Sequence, residues 1–101
     1  MASLKKALNF CKEAVAGFLQ KNSGWLADVK IHEVRNGRGK DMGELIFLGR
    51  TEFTPHDKNE IEIFIIKIRK VIADKFGAIR IKISQASKND PKRQVWLAEQ
   101  K

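Results

Sequence analysis

The chain has 101 residues, 20 Lys+Arg against 12 Asp+Glu, a formal net charge of +8, 43% hydrophobic residues and 2 prolines. This composition excludes a disordered chain, and the length leaves no room for a second domain of ordinary size, so residues 1–101 read as a single basic α+β domain. No apolar run approaches the roughly 20 residues of a membrane span, and the positive excess predicts attraction to polyanions.

Residues 4–20 carry Leu4, Leu8, Cys11, Val15, Phe18 and Leu19 at three- and four-residue steps, which predicts an amphipathic helix. Ser3 is the expected N-cap, and Asn22 and Gly24 suit a left-handed C-terminal stop. Cys11 lies in the apolar stripe and reads as an inert core thiol. A single cysteine allows no internal disulfide and no zinc site, which fits a cytoplasmic protein.

Residues 25–35 alternate, with Trp25, Ala27, Val29 and Ile31 on one strand face and Asp28, Lys30 and His32 on the other. Residues 45–53 predict a second strand. Between the two lies Asn36-Gly37-Arg38-Gly39-Lys40-Asp41-Met42-Gly43, where Asn-Gly signals a hairpin with a long, glycine-rich basic loop.

Thr54-Pro55-His56-Asp57 predicts a helix start: a capping threonine, a proline at the first helical position and an acid in the first turn. The helix should run over 55–76 and end at Gly77, with Ile61, Phe64, Ile65, Ile68, Ile72 and Phe76 as its core stripe. A rival reading makes 60–66 a strand, because Glu-Ile-Glu-Ile also alternates. Residues 78–84 alternate strictly, with Arg80 and Lys82 on one face. A turn-rich stretch containing Lys88, Lys92 and Arg93 follows. Residues 94–98 read as a last strand, with a short helix as the alternative. The expected order is α-β-β-α-β-β: a four-stranded, mainly antiparallel sheet with both helices on one face.

No catalytic constellation emerges. The sequence has no nucleophile elbow, no phosphate-binding loop and no metal-spaced His/Glu set, so the expectation is a non-enzyme with no cofactor and no metal. Glu60 and Glu62 point to different sides of a helix, and Asp41 and Glu44 flank a loop that makes a poor catalytic platform. His32 reads as a surface residue.

The basic groups carry the first functional expectation, a nucleic-acid-binding accessory protein, DNA or RNA, that contacts the phosphate backbone. Arg35, Arg38 and Lys40 sit among glycines in the hairpin loop, while Lys30, Arg80, Lys82, Lys92 and Arg93 supply a basic strand face and turn. The second expectation is a protein–protein interaction module, an inhibitor or assembly factor of phage or plasmid type that docks on an acidic protein. Ile63 and Ile66 fall opposite the core stripe of the second helix, beside Lys67 and Lys70. Their cover would be another protein or a second copy of this chain, making a homodimer. Attachment of the first helix to a membrane surface is a third, weaker expectation, because the core explains its apolar stripe.

Overall fold

A computed structural model describes residues 3–35, 41–88 and 90–91. The elements run α1 (Ser3–Lys21), β1 (Leu26–Arg35), β2 (Asp41–Gly49), α2 (Pro55–Phe76) and β3 (Ile81–Ala86). Among the described residues no helix is long and apolar enough to cross a membrane.

Among the described residues the sheet has three strands in the order β1-β2-β3 and is mixed. β1 and β2 form the expected antiparallel hairpin, but β3 runs parallel to β2. The expectation of four mainly antiparallel strands is therefore corrected. The physical reason is length. α2 has 22 residues, about 33 Å of helix, while the nine residues of β2 span about 30 Å. A helix that long carries the chain back to the end where β2 began, and the next strand must then run in the same direction. The fourth strand expected over 94–98 lies outside the described residues, as do Lys92 and Arg93; Pro91 has helical backbone.

α2 has the boundaries its start signal predicts, and the rival strand over 60–66 is overturned. Thr54 is the N-cap in a reciprocal capping box: the Asp57 N–H donates to Thr54 Oγ1 at 3.1 Å, and the Thr54 N–H donates to Asp57 Oδ2 at 3.0 Å. Gly77 ends the helix at φ 84°, ψ −159°, a conformation almost restricted to glycine. The end of α1 differs from expectation, since neither Asn22 nor Gly24 is left-handed. Instead the Asn22 side-chain amide donates to the Phe18 carbonyl at 2.9 Å, and its Oδ1 accepts from Trp25 Nε1 at 3.2 Å. A side chain thus does the capping that a glycine was expected to allow.

Strand boundaries shift as well. β2 starts at Asp41 and ends at Gly49, four residues before the expected 45–53 at both ends, and β3 is displaced to Ile81–Ala86 from the expected 78–84. Asp41, Met42 and Gly43 belong to the strand rather than the loop. Gly43 permits this, because a Cβ there would stand 2.6 Å from Leu8 Cδ2 of α1. In β1 the pairing slips between Leu26 and Asp28, so Leu26 points into the core and Ala27 falls out of the face it was expected to share with Val29 and Ile31.

Both helices pack on one face of the sheet, as expected. Ala7, Cys11 and Val15 of α1 meet Ile61, Ile68 and Ile72 of α2 over Val29, Leu45 and Phe47 of the sheet. Phe18 joins the layers: it stacks on Phe64 with centroids 4.4 Å apart and presents edge-on contacts to Phe47 and Trp25. The opposite face of the sheet also carries buried apolar residues. There Ile46, Leu48 and Ala86 form a second buried cluster, each 0–1% exposed.

Candidate nucleic-acid interface

The parallel register of β2 and β3 decides which basic groups meet. Gly43 pairs with Ile81 and Glu44 with Lys82, and the Gly43 N–H donates to the Arg80 carbonyl at 3.0 Å. Arg35 pairs with Asp41 at the same end of the sheet, the end at which β3 starts. The backbones of Arg35, Arg80 and Lys82 therefore come to one end of the sheet, although Arg80 follows Arg35 by 45 positions in sequence. Arg38 and Lys40 lie outside the described residues.

Arg69 of α2 joins them. No local motif marks it, since α2 also carries Lys58, Lys67, Lys70 and Lys75. Its Nη2 donates to the Ile81 carbonyl at 3.2 Å, which brings the guanidinium to the β3 edge. Arg69, Arg80 and Lys82 line a cleft of about 420 Å³ whose remaining walls include Met42, Ile72, Ile79 and Ile81. Among the described residues no carboxylate lines it.

The rest of the expected strand face is less basic than the sequence implies. Lys30, His32, Glu44, Lys82 and Ser84 share the side away from the helices, because Lys30 pairs with Ile46 and His32 with Glu44. Glu44 is 8% exposed and occupies the centre of this group. Its Oε1 lies 2.7 Å from His32 Nε2, while its Oε2 accepts from Ser84 Oγ at 3.1 Å and lies 3.9 Å from Lys82 Nζ. One buried carboxylate thus offsets part of the positive field that Lys30 and Lys82 were expected to present together. The misplaced strand start hid Glu44. A β2 that begins at Asp41 carries Glu44 into its buried stretch, residues 43–49, where it is the one acid and must find partners.

Ile63 and Ile66 are exposed, at 41% and 61%, as the helical wheel predicts. They border different hollows. Ile63 lies with Phe18, Phe64 and Lys67 between α1 and α2, whereas Ile66 lies with Ile65 and Ile83 on the β3 side. Lys67 and Lys70 are both exposed on α2. Cys11 is fully buried, and desolvation raises its thiol from 9.0 to about 11, the behaviour of a core thiol rather than a nucleophile. Among the described residues no group of three or more His, Cys, Asp or Glu side chains is placed to hold a metal ion. No protein-family model, no curated protein and no solved structure matches this chain.

Proposed function

We propose that this protein is a non-enzymatic nucleic-acid-binding module that contacts the phosphate backbone through the basic end of its sheet. The observation that carries this reading is the meeting of Arg69 and Arg80 at one end of the sheet, beside the starts of β2 and β3, in a cleft that no described carboxylate lines. Cations drawn from two separate segments, α2 and the start of β3, onto one rim form a local field that a phosphate chain follows. The net charge of +8 supports the same partner class. Lys30 and Lys82 are secondary here, since both lie on the side that Glu44 partly neutralises and Lys82 Nζ stands 3.9 Å from that carboxylate.

The test is fluorescence anisotropy with labelled DNA and RNA across a salt series. Replacing Arg35, Arg38 and Lys40 together by Ala removes up to three phosphate contacts. The dependence of log K on log salt should then flatten by about 2 for a single strand and nearer 3 for a B-form duplex. Unchanged affinity and slope would remove the loop from the interface.

A second reading rests on Ile63 and Ile66, the exposed large hydrophobic residues among those described. A protein partner, or a second copy of this chain, would cover them, with Lys67 and Lys70 meeting acidic groups at the rim.

A further inference from the structure

The cleft at the β3 edge combines two kinds of wall. Met42, Ile72, Ile79 and Ile81 are its large apolar walls, and Arg69, Arg80 and Lys82 are its cations. Its volume of about 420 Å³ falls in the range of roughly 300–1,000 Å³ typical of small-ligand pockets. Gly77 and Ala78 border it with almost no side chain, and nothing lies within 4 Å of where a Gly77 Cβ would stand. The entrance is therefore open on that side.

A nucleotide has the matching chemistry: a flat base whose faces are apolar and a phosphate that takes charge-assisted hydrogen bonds from a guanidinium. The base of an intact duplex is stacked and paired and cannot enter a recess, whereas an unpaired base can turn out of its strand. We propose that this cleft takes one unstacked nucleotide of a single-stranded nucleic acid. The base lies against Ile79 and Ile81, and the adjoining phosphate meets Arg80 and Arg69. The proposal rests on the nucleic-acid reading above and deepens it, because it assigns a strand type and a base-accepting position. Arg69 is partly preorganised for this role by its bond to the Ile81 carbonyl, which fixes one edge of the guanidinium.

The experiment compares labelled 12-mers of oligo(U), oligo(dT) and a mixed-sequence duplex in anisotropy at one low salt concentration, for the native chain and for Ala78→Leu. Ala78 is exposed at the cleft border, so the longer apolar side chain obstructs the entrance without changing charge. A melting curve establishes that the variant folds. The expected result is a single-strand preference over the duplex of about tenfold in the native chain, within the reach of one base contact, that Ala78→Leu abolishes while its duplex affinity stays unchanged. Oligo(U) against oligo(dT) separates RNA from DNA. Equal binding of single strand and duplex, or a preference that survives Ala78→Leu, overturns the cleft proposal and leaves phosphate-backbone binding standing. Failure of every probe to bind overturns both.

Discussion

Alkaline pH should destabilise this protein through one buried thiol. Cys11 is fully buried against Val29, Leu45 and Phe47, and desolvation of its thiolate moves its pKa from 9.0 to about 11. Below about pH 9 the thiol is protonated in both the folded and unfolded chains and contributes no pH dependence. Between 9.0 and about 11 the unfolded chain loses the proton and the folded chain keeps it. The unfolded state then binds fewer protons, so stability falls as pH rises. A shift of about two pH units corresponds to about 2–3 kcal/mol, approached once the pH passes the folded value. Lysines titrate in the same window, so the comparison must be with Cys11→Ala. That variant keeps every lysine and loses only the thiol, at a constant cost for the missing sulfur. Urea unfolding at pH 7, 9, 10 and 11, followed by tryptophan fluorescence, gives the difference between the two chains. That difference should be flat up to about pH 9 and then shrink by about 2–3 kcal/mol. A difference independent of pH across the whole range would mean that the thiol titrates as if in water. The placement of Cys11 toward the sheet would then be wrong.

Two further outcomes test the elements that frame the interface. Thr54→Ala removes one bond of the capping box at the start of α2 and should cost about 1 kcal/mol, a melting-temperature drop of roughly 4–8 °C by calorimetry; a drop below 1 °C would mean that the box does not hold the helix start. Ile63→Ser with Ile66→Ser should change stability by about 0.5 kcal/mol or less per site, because both side chains already face solvent. Any self-association seen by sedimentation in the native chain should be lost in the double variant, and an association that persists would exclude this face.

The elements that were legible in sequence are those fixed by neighbours along the chain. Thr54, Pro55, Asp57 and Gly77 place both ends of α2 because capping and backbone constraints act within one turn. The 3.6-residue period identifies its buried face, Ile61, Ile68 and Ile72, without knowledge of what covers it. The hairpin follows from Asn36-Gly37 between two alternating runs. The start of β2 was not legible. Asp41, Met42 and Gly43 look like loop residues locally, and only the approach of Leu8 from α1 explains why a glycine belongs in that strand. The phase of β1 was lost for a similar reason, since the slip between Leu26 and Asp28 leaves no periodic mark.

The candidate interface divides along the same line. The sequence by itself determined that cations dominate the chain, that three of them cluster around glycines at 35–40, and that the second helix carries two isoleucines away from its core. Those are properties of composition and of a single helix or loop. The tertiary structure alone decided that Arg80 stands beside the start of β2, that Arg69 reaches the β3 edge and that Glu44 offsets part of the charge near Lys30. These facts depend on β3 running parallel to β2, and that direction is set by how far α2 carries the chain back across the sheet.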